Sequence, residues 1–280
     1  MIATTPLVSV CIPAYNCEAT IAAAIDSVFA QTLADFELVV VDDGSRDRTR
    51  EIVESYSDPR LRYFRNSQNL GPEGNWNRCL EEARGKYFKL LPHDDLLAPR
   101  CLEQQTAVLE QDAGAEVALV FCARDVIGPN GRVLARRGFP GSRGGVLSPQ
   151  RVIAACVRHG TNVLGEPASL LFRKSLADQV GRFDASNPYV VDLDYWFRLL
   201  QRGSAYYLPD ALASFRVWPQ SWSVAIGGNQ ASEFRHFIRR VAWQVDGTTS
   251  SIDRLLGFVT PTLNNIARLA FYAIYLREKT

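Results

Sequence analysis

Two adjacent carboxylates, Asp94 and Asp95, follow directly on an apolar run, KYFKLLP (86–92), and a second acidic pair, Asp192 and Asp194, lies in PYVVDLDYWFRLLQRG (188–203). Carboxylates in such settings can hold a hard divalent cation, accept hydrogen bonds from a polar substrate, or take a proton from a hydroxyl. The run Tyr87, Phe88, Leu90, Leu91 reads as a strand that Pro92 ends. Asp94 and Asp95 therefore sit at a strand's carboxyl end, where open α/β sheets bind ligands. Taken alone, an Asp-Asp pair could equally cap the helix expected from about Pro99 to Glu110. Asp192 and Asp194 fall near a helix start, where residues two apart point to different sides, so only one can face a site. Both would also be favourable there simply as negative charges at a helix N-terminus.

The elements that must position these acids alternate. LVSVCIP (7–13) is a buried-strand run that leads through AYNCEAT into a helix from about Glu18 to Gln31. FELVVV (36–41) ends at Asp42, Asp43, Gly44 and Ser45 before a helical RDRTREIVESY, and LRYFR (61–65) ends in NSQNLGPEGN. A helix from about Asn75 to Arg84 then leads into the 86–91 strand, and VALVFCA (117–123) is a fifth. Strands separated by helices require a mostly parallel sheet covered on both faces. Past Ala123 the alternation breaks. GPNG (128–131) reads as a hairpin turn, RRGFPGSRGG (136–145) as a mobile loop with little to bury, 149–158 as a helix, ASLLFR (168–173) as a strand, and YYLPDALASFRVW as extended chain. The remainder is helical: about 230–245, then 252–276 interrupted at Pro261. Its apolar face (Ile266, Leu269, Ala270, Ala273, Ile274) is expected to dock on the domain, with contact at a membrane surface as the alternative. Asn264, Asn265 and Arg268 argue against a bilayer span. The expected division is 1–123 as one α/β half, 124–226 as the other half of the same domain, and 227–280 as a helical extension.

Bulk properties narrow the function. With 31 basic and 30 acidic residues the 280-residue chain has a formal charge of +1, so no global field favours nucleic acid. Cys11, Cys17, Cys79, Cys101, Cys122 and Cys156 are scattered without zinc-ligand spacing, as expected of core residues in a reducing compartment. The N-terminus reads as lacking a signal peptide, and a cytoplasmic protein is expected. Four polar clusters, PAYN (13–16), DDGS (42–45), NLGPEGNWN (69–77) and HDD (93–95), should converge on one sheet edge. Neither a GxGxxG after the first strand nor a GxxxxGK[ST] occurs, so a bound phosphate would need another counter-charge, such as a divalent cation held by Asp95.

In order along residues 7–216, the strings VSVCIPAYN, FELVVVDDGSRDRT, the NxG within NLGPEGNWN, ARGKYFKLLPHDDLL and GRFD…DLDYWFRLLQRG resemble the inverting family 2 glycosyltransferases, which have the GT-A fold. The resemblance implies a nucleotide-sugar donor, with a UDP-sugar first and a dTDP-sugar next, bound by the 1–123 half, with the acceptor bound by the 124–226 half. It implies Pro13, Tyr15, Asn16 and Asp43 at the base, Asn77 also on the nucleotide, Asp94 at the ribose, and Asp95 on a Mn²⁺ or Mg²⁺ that holds the diphosphate. Asp192, six residues before Arg198, would be the general base, although Val191 stands where many relatives have Glu. Relatives often carry an RxH near the metal; this chain has Trp218 in SFRVWPQSWS, which puts a third protein ligand in question. His93 reads as a hydrogen-bonding partner of the acids rather than a ligand. On the acceptor side Glu166 in GEPAS could meet a sugar hydroxyl, and Trp196, Tyr195, Trp218 and Trp222 could offer a stacking face, with a core position as the other reading of Trp196. Arg132, Arg136, Arg137 and Arg143 could meet a phosphorylated acceptor or be a solvated loop. The acceptor would be a glycan or lipid-linked glycan in bacterial surface polysaccharide assembly, on an enzyme in the cytoplasm or peripheral at the inner membrane. Two rivals are a degenerate nucleotide-sugar binder without turnover and a two-carboxylate glycoside hydrolase needing neither nucleotide nor metal.

Overall fold

A computed structural model describes residues 5–221, 224, 229–244 and 248–275. Its strands are β1 (Val8–Ala14), β2 (Phe36–Asp42), β3 (Leu61–Arg65), β4 (Tyr87–Leu90), β5 (Leu96–Leu97), β6 (Val117–Ile127), β7 (Val133–Arg137), β8 (Gly145–Leu147), β9 (Leu170–Arg173) and β10 (Ser204–Arg216). They form one sheet in the order β3-β2-β1-β4-β9-β6-β10-β5, with β7 on β6 and β8 on β10. The first four strands pair in parallel, as do β6 and β10. β9 runs antiparallel to both β4 and β6. One reversed strand therefore sits between two parallel blocks that share a direction, and the segment before β9 emerges at the edge where β1, β2, β4 and β6 end.

Alternating side chains divide the core into two layers, as the period-2 pleat requires. Val10, Ile12, Leu38 and Val40 pack with α1 (Ile21–Phe29), α2 (Thr49–Glu54) and α4 (Cys101–Gln111). Cys11, Val39, Val41 and Phe121 pack with α3 (Gly71–Glu82), α5 (Pro149–His159), α6 (Lys174–Val180), α7 (Val191–Leu200) and α8 (Gln230–Gln244). All six cysteines are buried and unpaired.

Two expectations need correction. The 136–145 stretch is anchored at both ends by β7 and β8, and within it Phe139 is buried against Phe121 and Tyr207 at ring separations of 5.8 and 6.1 Å. Its one aromatic finds a slot beside β6 and β10, which a count of glycines and arginines does not reveal. The second concerns α9 (Ser251–Tyr275), which runs through Pro261 without a break. Gly257 and Pro261, one turn apart, are the buried points at which it meets α5. A Cβ on Gly257 would lie 2.8 Å from the Val157 carbonyl, and one on Gly160 2.5 Å from the Pro261 nitrogen. Gly160 is also the left-handed cap of α5, and carbonyls at that helix end are taken up by α9: Thr260 Oγ1 donates to Arg158 O, and Asn264 Nδ2 to His159 O.

This helix docks the other way round from the expected one. Asn264, Arg268 and Tyr272 turn inward, whereas Ile252, Leu255, Phe258, Val259, Leu263, Ile266, Leu269 and Ile274 are 47–67% exposed. Among the described residues no helix is long and apolar enough to cross a membrane.

Candidate active site

A cavity of about 890 Å³ opens along the edge where β1, β2, β4 and β6 end and β9 begins. Pro13 and Tyr15 enter it from β1, Asp43 from β2, His93, Asp94 and Asp95 from β4, Glu166 from before β9, and Asp192 from the first turn of α7. Asp43 organises one wall. Its Oδ1 accepts from Asn66 Nδ2 (2.6 Å) and Leu70 N (2.9 Å), and its Oδ2 from Gly71 N (3.0 Å), which pins the loop into α3. One acceptor position on Oδ2 is left open among the described residues.

Two residues assigned to the nucleotide do not line this cavity. Asn77 is buried and gives both amide atoms to the backbone of Phe183, Nδ2 to the carbonyl (3.0 Å) and Oδ1 from the N–H (2.8 Å). Asn75 faces the cavity instead, because α3 starts at Gly71 and two residues of helix turn the side chain by about 200°. Asn77→Ala should thus destabilise the fold by about 2 kcal/mol for the stranded Phe183 groups, seen as a lower melting temperature, without changing nucleotide affinity in a calorimetric titration. Asn16 has a positive φ of 45° and accepts from Arg46 N (2.9 Å), which folds it onto the β2–α2 loop. Trp196 is fully buried beside Phe172, Phe183 and Tyr195 and offers no face to an acceptor. Trp222 lies outside the described residues.

Asp95 is 1% exposed; its Oδ1 accepts from Arg216 N (3.0 Å), while Oδ2 has no hydrogen-bond partner in the described structure. Burial, and then the neighbouring Asp94 charge, push its carboxyl well above the usual carboxylate range. An orphaned buried carboxylate oxygen is costly, and a hard cation would satisfy it. No group of three His, Cys, Asp or Glu suited to a metal occurs among the described residues. The donor set thus fits Mn²⁺ or Mg²⁺ held jointly with phosphate oxygens and water, not a preformed protein cage. Trp218 supplies no ligand, because an indole N–H only donates; its Nε1 donates to Asp94 Oδ2 at 2.9 Å. Arg216 Nε holds the Asp94 carbonyl (2.9 Å), so Arg216 at the end of β10 and Trp218 just past it fix the acidic loop. His93 Nδ1 pairs with Thr20 Oγ1 at 2.9 Å.

On the opposite side, Asp192 accepts from Asn162 Nδ2 (2.9 Å) and from Leu193 N (2.7 Å). Asp194, turned away, is tied to Arg198 (2.9 Å) and Arg240 (2.6 Å). Burial, with the Glu166 charge adding to it, pushes Asp192 up to about 7 against the pull of its two hydrogen bonds. Burial acts the same way on Glu166, but the Arg124 guanidinium bonded to it outweighs that and holds it below the usual range. Gly165 makes the ion pair possible: its φ is +113°, and a Cβ there would lie 3.0 Å from Arg124 Cδ.

If Asp192 acts as a base, only its ionised form works, so the acceptor-dependent rate should rise through about pH 7 and level off above it. Glu166→Gln removes a negative neighbour and should move that inflection to lower pH, as a pH–rate series would show. Asn162, Arg124, Tyr189 and Arg268 line the same cavity and were not singled out as site residues from the sequence.

The profile of glycosyl transferase family 2 matches residues 9–180. An uncharacterized protein of Mycobacterium tuberculosis is 35% identical over 74% of this chain and 66% of its own length; an uncharacterized glycosyltransferase of Rickettsia typhi is 32% identical over 82% and 70%. The UDP-Glc:α-D-GlcNAc-diphosphoundecaprenol β-1,3-glucosyltransferase WfgD of Escherichia coli is 41% identical over 37% of this chain and 41% of its own. Among solved structures, residues 1–349 of Staphylococcus aureus TarS with UDP-GlcNAc align with TM-score 0.65 at 20% identity, over 97% of this chain and 76% of that one. The mannosyltransferase PcManGT of Pyrobaculum calidifontis with GDP-Man and Mn²⁺ aligns at 0.62 and 20%, with the same coverage. In a longer TarS structure this chain spans 44% of the length. These neighbours are GT-A glycosyltransferases, and the chain belongs to glycosyl transferase family 2.

Proposed function

We propose that the protein transfers a sugar, with inversion, from a nucleoside diphosphate donor to a hydroxyl of a glycan or lipid-linked glycan, with a UDP-sugar as the first candidate and a dTDP-sugar next. The observation that carries this reading is that one cavity holds both Asp192, a carboxyl raised to about 7, and the Asp94–Asp95 corner with its orphaned oxygen. The nucleotide occupies the wall of Pro13, Tyr15, Asp43 and Asn75, and Asp94 meets the ribose. Asp95 would hold a Mn²⁺ or Mg²⁺, which when bound offsets negative charge growing on the departing diphosphate.

Asp192 takes the proton of the acceptor hydroxyl while its oxygen bonds to the anomeric carbon. The old carbon–oxygen bond breaks opposite, and its electron pair leaves with the diphosphate. Asn162 and Leu193 N keep the carboxylate oriented, and the Arg124–Glu166 pair presents a fixed acceptor-side charge. Support comes from WfgD, named for a UDP-glucose donor and a diphosphoundecaprenol-linked acceptor, and from the TarS and PcManGT complexes with nucleotide-sugars. A place in bacterial surface-glycan assembly, in the cytoplasm or peripheral at the inner membrane, is part of the same proposal, and the diphosphoundecaprenol-linked acceptor in the name of WfgD supports its lipid-linked part.

The test is product stereochemistry: an α-linked UDP-sugar donor should give a β-linked product by NMR. Retention would remove the inverting mechanism. Turnover that persists in EDTA without nucleotide would favour a hydrolase.

A further inference from the structure

The half of the cavity around Asp192 carries three guanidiniums, and they are not equivalent. Arg124 is neutralised by Glu166. Arg137 and Arg268 line the same cavity with no carboxylate partner within ion-pair distance among the described residues. Arg268 is partly buried, donates through Nη1 to the Tyr189 hydroxyl (2.9 Å), and lies 5.5 Å from the Tyr189 ring centre. A neutral phenol and a ring face orient a guanidinium without cancelling its charge, and withdrawing an uncompensated cation from water is costly. Both cations reach Glu166 electrostatically, and Glu166 in turn acts on Asp192, so all four groups share one neighbourhood. Arg268 comes from α9, beyond the stretch the family profile matches. The inversion of that helix is what delivers it: its polar side, with Asn264 and Tyr272, closes the cavity.

Resting on the transferase reading above, we propose that Arg137 and Arg268 form an anion subsite that holds a phosphate group carried by the acceptor, beside the hydroxyl that Asp192 deprotonates. A guanidinium presents a planar fork of N–H donors that fits phosphate oxygens, and two of them facing one cavity can hold a monophosphate or a diphosphate. The phosphate can belong to a soluble sugar phosphate or to a lipid-linked glycan, and α9 has an apolar outer face next to this subsite for the second case.

Calorimetric titration with glucose 1-phosphate and, separately, farnesyl diphosphate tests this on protein saturated with UDP and Mn²⁺, which blocks the donor corner. At least one probe should bind well over tenfold tighter than its neutral counterpart, glucose or farnesol. Arg137→Gln and Arg268→Gln should each weaken it about tenfold or more, Arg268→Lys should restore part of the loss, and UDP affinity should be unchanged in all three. Binding of glucose 1-phosphate marks a soluble acceptor, and binding of farnesyl diphosphate alone marks a lipid-borne one. Equal affinity for charged and neutral probes, or Gln variants that bind like wild type, would overturn the subsite. A protein that binds a phosphate probe through these arginines but no nucleotide would keep the subsite and remove the transferase reading.

Discussion

Asp192→Asn should lower transfer by on the order of 10² to 10⁴-fold and at the same time make the fold more stable at pH 8. Loss of rate follows because, among the described residues of the base corner, no other carboxylate suits the role: Asp194 points away into Arg198 and Arg240, and Arg124 holds Glu166 below the usual carboxylate range, which makes it a weak base. The gain in stability follows from linkage. Asp192 has a folded pKa of about 7 against an ordinary 3.8, so the native state holds a proton that the unfolded chain has released between those values. Stability contributed by the neutral carboxyl is therefore complete below about pH 4 and lost as pH rises to about 7, a cost on the order of a few kcal/mol. Asparagine keeps an oxygen for Leu193 N and never ionises, but its amide nitrogen replaces the oxygen that accepts from Asn162 Nδ2, a loss of about 1 kcal/mol that does not depend on pH. The variant should melt slightly below wild type at pH 4 and above it at pH 8. Full activity in Asp192→Asn would remove the residue from the base role, and the same offset in melting temperature at both pH values would show that its carboxyl is not held neutral by burial.

Asp95→Asn should weaken metal-dependent nucleotide binding by about 100-fold or more, since loss of groups that merely support a ligand already costs 10 to 100-fold. The substitution keeps an acceptor for Arg216 N, the one hydrogen bond that the carboxylate makes, and replaces the oxygen that has no partner. It also removes a carboxyl that burial and Asp94 disfavour in its charged form, so the fold should not suffer. UDP titrations with and without Mn²⁺ check this: the variant should bind equally poorly in both, and EDTA should bring wild type to the same level. An unchanged Mn²⁺ effect in the variant would place the cation elsewhere.

The fold was legible where burial is two-sided. β1, β2 and β4 are mostly apolar runs, broken only by Ser9, Glu37 and Lys89 before their ends, because both faces of the sheet are covered, and the acids at or after their ends mark the site edge. Asp43, Asp94 and Asp95 could be placed on this edge because each follows a recognisable strand, and Glu166 because it precedes one. What escaped depends on angular phase or on long-range contact. Choosing Asn75 over Asn77 required knowing that α3 begins at Gly71. Asn16 carries a positive φ that a propensity argument does not assign to it. Trp196 has the same spacing whether it packs or stacks, and only the sheet behind it decides.

The C-terminal helix misled for a more general reason. An amphipathic pattern tells how a helix divides its faces, and the usual inference that the apolar face packs inward fails when the polar face completes a polar cavity. Asn264 and Arg268, read from the sequence only as obstacles to a bilayer span, are cavity walls. Pro261 stays inside the helix because it sits where the helix meets Gly160, a contact set by tertiary packing. The meaning of Trp218 in place of histidine likewise became readable only through its partner Asp94.

Isothermal titration of the wild-type protein with UDP, dTDP, GDP and CMP, each with and without Mn²⁺, bears most directly on whether this cavity is a nucleotide-sugar donor site. UDP or dTDP should bind at least tenfold tighter with Mn²⁺ than without, and UDP should be displaced by its own UDP-sugar. Binding of none of the four under either condition would contradict the donor assignment of Asp43, Asp94 and Asp95.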